Sequence, residues 1–337
     1  MIFVRFVFCI FFFSCLFTIV KANNLDLIKD RGYLKCGISE PRFGFANIDD
    51  ESNWYGFDVD ICRAVASAIF ADSNRVEFIL TTNKSRFPLL ASGEIDMLSR
   101  ITTWNFSRDV NLEFEFTGIN FFDGQGFMVR SDLGVNSAKD LDGASICVIS
   151  ETSLSYNLNI FFEKNNITYI PINIEYDDEA IESFLLDRCE VYTNYITELA
   201  DKRVTFSNPN EFLILPEIIS KEPLSTVVRH GDDQWRDVVS WTLNILLLAE
   251  EHNITSDNVD SFLDTDNNEI LRLLGQIGSY GDMIELDEKW AYNIIRLVGN
   301  YGEIFNRNLG PNTPINLSRG LNSLYSNGGL MYSPPFR

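Results

Sequence analysis

Ile95-Asp96-Met97-Leu98-Ser99-Arg100-Ile101-Thr102-Thr103-Trp104-Asn105-Phe106-Ser107-Arg108 moves from an apolar run of strand character to a cluster of hydroxyls and cations. Ile95, Met97 and Leu98 are apolar; Ser99, Thr102 and Thr103 bring hydroxyls, and Arg100 and Arg108 bring guanidinium groups. In open α/β sheets ligands sit in the crevice beyond the carboxyl ends of the strands. A guanidinium there, beside Thr hydroxyls and turn N–H groups, suits a planar carboxylate, which it can grip through two parallel hydrogen bonds. The competing reading pairs Arg108 with Asp109 or another surface acid, since exposed ion pairs are common and weak. The flanking sequence separates the two.

Upstream, Tyr33 to Ile38 reads as a first strand, and Pro41 to Asn53 as a loop in which Phe43 and Phe45 are available to line a pocket. Gly56-Phe57-Asp58-Val59-Asp60 leads into a helix, with Asp58 or Asp60 expected to cap its start. Val59, Cys62, Val65, Ala66 and Ile69 recur at helical spacing, so Cys62 faces back toward the strand that carries Cys36. Val76 to Leu80 is a second strand, and Phe87 to Ala91 a short helix broken by Gly93. This alternation predicts a parallel α/β lobe whose third strand, Ile95 to Leu98, delivers Ser99 to Arg108 to the crevice.

Downstream, glycine-rich Gly118 to Met128 reads as a crossing between lobes, and Ser145 to Ile149 opens a second α/β unit. Ser150 to Ser153 start a helix that continues through Phe161 and Phe162. Its first N–H groups, beside the Thr152 or Ser153 hydroxyl, form an anion site on one reading and an ordinary N-cap on the other. Ile170 to Glu175 is a strand, Glu179 to Asp187 a helix, and Cys189 to Thr193 a strand with Tyr195 just past its end. A second crossing is expected near Ile218 to Leu224, and Trp235 to Glu250 is a strongly apolar helix with further helical segments after it.

At 337 residues the chain can hold two domains, and 45% apolar content with 13% aromatics places it among folded globular proteins. Its 27 basic against 48 acidic residues leave a formal charge of −21 with no basic stripe, which argues against nucleic acid as a partner. Phe6 to Val20 is almost unbroken apolar sequence, shorter than the roughly 20 residues a membrane span needs. It reads as a signal peptide over residues 1–22, cleaved after Ala22, with a lipoprotein cleaved before Cys15 as the alternative. Cleavage leaves Cys36, Cys62, Cys147 and Cys189, an even set that allows three disulfide pairings. There is no CxxC spacing, and His230 and His252 are the only histidines, so neither a metal site, a cofactor, nor a Cys-His or Ser-His-Asp catalyst is expected.

Gly56 to Val65, Ser99-Arg100 with Thr102-Thr103-Trp104, Ser107-Arg108-Asp109, Asp123 to Met128, Leu215 to Leu224, Gly231 to Trp235 and Gly299 to Glu303 together resemble one family. It is the periplasmic amino-acid-binding proteins of ABC transporters, solute-binding family 3, in the longer branch that serves general L-amino-acid uptake. The resemblance runs from about Leu25 to Arg337. It implies an α/β, type II periplasmic-binding-protein fold whose lobes are parallel-sheet units joined by a two-strand hinge. Lobe one would comprise 24–120 and 225–337, lobe two 125–220, and the hinge 121–124 and 221–224. The implied protein is no enzyme but a periplasmic monomer that captures a free L-amino acid and delivers it to membrane permease subunits. By the same resemblance Arg108, with Thr103, clamps the ligand α-carboxylate, and lobe two contributes the helix start at Thr152 and Ser153. Arg100, Thr102 and Phe45 belong to the same expected site.

The chain departs from the family pattern at the ammonium site, where Tyr195 stands in place of the usual aspartate. A buried ammonium without an anion is costly, so another group must replace it. Glu151, where the family has glycine, is the expected substitute; the alternatives are a carboxylate ligand lacking a free α-ammonium, or weakened binding. A dehydratase working in the same cleft is the second functional class, and a sensor domain the third. Disulfides within each lobe, Cys36–Cys62 and Cys147–Cys189, are expected, because bridges across lobes would oppose closure. Each would contribute about 2–4 kcal/mol.

Overall fold

The computed structural model describes residues 23–149, 153–174 and 177–337. The leader 1–22 and the helix-start residues Ser150, Glu151 and Thr152 lie outside the described residues, as does the side chain of Ser153.

After α1 (Asn24–Arg31) the chain enters β1 (Leu34–Ser39), a short hairpin of β2 (Asn47–Ile48) and β3 (Trp54–Tyr55), α2 (Phe57–Phe70), β4 (Val76–Thr81), α3 (Arg86–Ser92), β5 (Met97–Leu98) and α4 (Phe106–Asn111). Two strands follow, β6 (Phe114–Asp123) at the edge of the first sheet and β7 (Gln125–Arg130) in the second. The second unit holds β8 (Ala144–Ile149), α5 (Ser153–Asn165), β9 (Tyr169–Ile174), α6 (Asp177–Leu185), β10 (Val191–Tyr195), α7 (Ile196–Thr205) and β11 (Phe212–Ile214). The chain returns through β12 (Glu222–Arg229) to α8 (Asp233–Glu251), α9 (Asn268–Leu273), α10 (Trp290–Val298) and α11 (Tyr301–Asn308).

Two five-stranded sheets result, in the orders β4-β1-β5-β12-β6 and β11-β7-β10-β8-β9. In each, three parallel strands meet an antiparallel one: β12 against β5, and β7 against β10. Parallel strands place their carboxyl ends, and the loops that follow, on one side of the sheet. The chain passes from the first sheet to the second at Gly124 and returns ahead of β12, where Glu222 pairs with Asp123. Gly124 is required by crowding: a Cβ there would lie 2.6 Å from the Ser220 carbonyl oxygen. Gly124 falls within the glycine-rich stretch Gly118 to Met128.

The apolar face of α2, with Val59, Cys62, Val65 and Ala66 fully buried, packs with α8, α10 and α11 in the larger core. Apolar burial of this kind is the dominant favourable term in folding. Cys36 is bonded to Cys62 and Cys147 to Cys189, tying strand to helix in one unit and strand to loop in the other. The carboxy-terminal segment wraps this framework. Phe336 packs among Trp241, Tyr280 and Trp290, Asn322 exchanges hydrogen bonds with the Phe122 backbone, and Arg203 of α7 donates to the Ile315 carbonyl at 2.6 Å. No described helix is long and apolar enough to cross a membrane.

Two local expectations are corrected. Asp58 does not cap its own helix: Gly56 occupies the N-cap without a side-chain bond. Asp58 instead accepts hydrogen bonds from Ser99 Oγ at 3.0 Å and the Ile101 amide at 3.2 Å, and so holds down the loop that leaves β5. Phe45 is not on the wall of the cavity between the two sheets. It is buried edge-on against Phe57 and Phe121, because the loop folds inward over the core.

Candidate functional site

A cavity of about 930 Å³ opens between the two sheets, near the upper end of the roughly 300–1,000 Å³ usual for small-molecule sites. On the first-sheet side it is lined by Arg42 from the loop after β1, Arg86 from the start of α3, Arg100 and Thr103 from the loop after β5, and Arg108 from α4. Asp123 and Glu222 line it from the crossing strands, and Asn194, Tyr195, Thr197, Glu198, Asp201 and Lys202 from the end of β10 and from α7.

The loop after β5 runs as an added antiparallel edge along the start of β12. The Ser225 amide donates to the Thr102 carbonyl at 3.0 Å, and the Trp104 amide to the Pro223 carbonyl at 2.8 Å. Side chains alternate in an extended segment, so adjacent threonines face opposite ways. Thr103 faces the cavity and donates its hydroxyl to Glu222 Oε2 at 2.8 Å. Thr102 is fully buried, its hydroxyl donating to the Arg100 carbonyl, and it is absent from the cavity wall; its expected place in the site is corrected. Ile101 holds a left-handed backbone (φ 42°), an uncommon and strained state for a β-branched residue, kept in place by its amide bond to Asp58.

Arg108 is half-buried and forms no ion pair among the described residues; Asp109 is not its partner. Its guanidinium donates to the Thr103 carbonyl at 2.8 Å and lies 6.0 Å from the centre of the Phe87 ring. Burial pulls its pKa down, opposed by the negative charge of Glu222. Glu222 is pushed up by burial, against the Thr103 hydrogen bond and the Arg108 charge. A carboxylate and a guanidinium, both partly desolvated, thus line the same cavity, one bonded to the Thr103 hydroxyl and the other to the Thr103 carbonyl. Arg100 donates to the Thr81 carbonyl and to Asn83 Oδ1, which fixes its guanidinium at the rim. Burial and the nearby Arg42 pull its pKa down.

Asp123 is fully buried at the crossing, accepting from Thr197 Oγ1 at 2.5 Å and from the Gly124 amide at 2.8 Å. Burial pushes its pKa up to about 6. Tyr195 is the last residue of β10, not the residue after it, and it is among the residues lining the cavity. Across the cavity Arg42 pairs with Glu198, and the Phe43 amide donates to Asp201 at 2.9 Å. Among the described residues no group of acids, cysteines and histidines is arranged to hold a metal ion.

Sequence reasoning missed Arg86, Asp123, Glu222 and Glu198. Asp123 and Glu222 stood inside stretches already singled out, and their signal was two acids placed at the two chain crossings. Arg86 offered no signal beyond its charge.

Two parallel-centred sheets, a paired crossing and a polar cavity between them define a type II periplasmic-binding-protein fold. The chain belongs to the bacterial extracellular solute-binding proteins, family 3, whose model matches residues 34–253. It is 49% identical over 318 residues to the glutamate/glutamine/aspartate/asparagine-binding protein BztA of Rhodobacter capsulatus, covering 94% of each chain. It is 48% identical to the general L-amino acid-binding periplasmic protein AapJ of Rhizobium johnstonii, again over 94% of each. Among solved structures, an ABC-transporter periplasmic binding protein from Brucella ovis with glutathione bound matches at 47% identity and a TM-score of 0.82, over 94% of this chain and 100% of that one. These relatives are binding proteins by name, and the dehydratase alternative falls away with them.

Proposed function

We propose that this protein is the periplasmic binding component of an ABC importer, capturing an L-amino acid between its sheets and presenting it to the membrane permease. One observation carries the reading: Arg108 and Glu222 line the same cavity on either side of Thr103, the cation bonded to its backbone carbonyl and the anion to its hydroxyl. That is the complement of an α-amino carboxylate. Arg108 takes the carboxylate in a bidentate grip, Thr103 assists it, and Glu222 takes the ammonium that the aspartate usual in the family would hold. Glu222 and Glu151 are the rival sources of that negative charge. Binding would favour a closed arrangement of the two lobes, roughly 24–120 with 225–337 and 125–220, about strands 121–124 and 221–224. The protein acts as a monomer, exported by a leader cleaved after Ala22; Asn23 is the first residue expected on amino-terminal sequencing of the exported form.

Calorimetric titration tests the assignment. Glu222→Gln should weaken amino-acid binding roughly tenfold to a hundredfold, the worth of a charge-assisted hydrogen bond, while leaving the matching 2-oxo acid nearly unaffected. If Glu151→Gln shows that pattern and Glu222→Gln does not, the ammonium site belongs to Glu151.

A further inference from the structure

Arg86 is the first residue of α3 and is only 8% exposed in the cavity wall. Its Nε is buried with no hydrogen-bond partner, and no acid forms an ion pair with it among the described residues. Arg203 is buried to the same degree, yet it donates to a backbone carbonyl at 2.6 Å. Arg229, also poorly exposed, donates to two carbonyls and to Asn24. Arg86 has neither resource. It rests on the Phe87 ring at 4.8 Å, the same ring that Arg108 approaches at 6.0 Å, so two guanidinium groups share one aromatic ring.

The ring face favours a cation modestly; the remaining circumstances do not. Desolvation, the like charges of Arg108 and Arg100, and the positive end of the α3 backbone dipole all oppose it. Burial and the charges of Arg108 and Arg100 bring its pKa down to about 10, so it remains charged at neutral pH. A buried cation without a counter-ion is strongly destabilising to the empty protein. What offsets such a cost is an anion that arrives with the ligand.

We propose that Arg86 is a specificity-determining residue: beside Arg100 it forms a second anion subsite, taking the distal carboxylate of a ligand whose α-carboxylate is held by Arg108. The substrate class is then dicarboxylic, an acidic amino acid or a small peptide with two carboxylates. The assignment rests on the amino-acid-binding reading above and adds a second charge to it.

The test is calorimetric titration of the wild-type protein, Arg86→Gln and Arg86→Met with glutamate, glutathione, glutamine and alanine, alongside thermal unfolding without ligand. The wild type should bind glutamate or glutathione at least about tenfold more tightly than glutamine, and the two dicarboxylic ligands show which source the site takes. Both variants should lose roughly tenfold to a hundredfold for the dicarboxylic ligand and less than about threefold for glutamine and alanine. Their unliganded melting temperatures should match or exceed that of the wild type. An equal loss for every ligand, no loss for any, or a fall in both unliganded melting temperatures would overturn the assignment. Wild-type protein that binds glutamine and alanine but prefers no dicarboxylic ligand overturns this inference alone. Wild-type protein that binds no amino acid overturns the functional reading along with it.

Discussion

The two walls of the cavity are built from similar sheets and carry different electrostatics. The wall formed by the first sheet presents Arg42, Arg86, Arg100 and Arg108; the wall formed by β10 and α7 presents Asn194, Tyr195, Thr197, Glu198 and Asp201, with Lys202 among them. On the second wall Glu198 is paired with Arg42 and Lys202, and Asp201 accepts from the Phe43 amide. On the first wall Arg108 and Arg86 have no acid in direct contact among the described residues, although both are desolvated. On the function proposed above, the difference divides the work: the first wall would recognise, with charges held in reserve for a ligand, and the second would dock onto the first through charges already engaged.

The most severe way to break that division is Arg108→Ala. It removes the cation next to Thr103 and leaves Glu222 half-buried without the Arg108 charge that acts on it. Binding of any carboxylate ligand should fall by more than about a hundredfold in calorimetry, since truncating one partner of a buried charge pair costs about 2–5 kcal/mol. Wild-type affinity in this variant would place the carboxylate elsewhere and undo the asymmetry between the walls.

How much of this was legible beforehand follows from how local each signal is. The strand-to-hydroxyl transition at Leu98–Ser99 and the arginine at Arg108 lie in one continuous stretch, so their place at a sheet edge could be read directly. The same holds for the α2 stripe that brings Cys62 to Cys36. Glu222 and Asp123 become partners only through the register of β12 on β6, a pairing across about a hundred residues that no local pattern encodes. Arg86 shows itself only by lacking a partner, which is a property of the packed molecule. Phe45, Thr102 and Asp58 were misread for one reason: a local preference was overridden by a distant contact. Phe45 joins the core through Phe121, Thr102 is turned inward by the edge pairing to β12, and Asp58 gives up its cap to bind Ser99.

Where the walls join, Asp123 sharpens the comparison, because it belongs to the crossing and to neither wall. Its folded-state pKa, about 6, lies above the ordinary 3.8 mainly through burial. A group raised in this way contributes stability that is fully present below about pH 4 and is lost as the pH rises through 6, on the order of 3 kcal/mol at most. Asp123→Asn, which keeps an acceptor for the Gly124 amide, should therefore raise the melting temperature at pH 7.5. The gain should vanish near pH 4, as followed by calorimetric unfolding. A gain that is equal at both pH values would mean that burial of charge at the crossing is not what the substitution relieves.

The smallest expected effect is the most discriminating. Arg42 is a cation on the first wall like Arg108, but its charge is taken up by Glu198 across the cavity. Both side chains keep some solvent exposure, so the pair is worth no more than about 1 kcal/mol. Arg42→Ala should then change stability by less than that and ligand affinity by no more than about fivefold, while small-angle scattering shows the unliganded form more open. Reserve and engagement make opposite demands on the same side chain: a guanidinium that must receive a ligand cannot also be held by an acid. If Arg42→Ala abolished binding as Arg108→Ala should, its pairing with Glu198 would be a resting contact exchanged for ligand. The line between recognition and docking would then run through the pairing state of each arginine, not between the two walls.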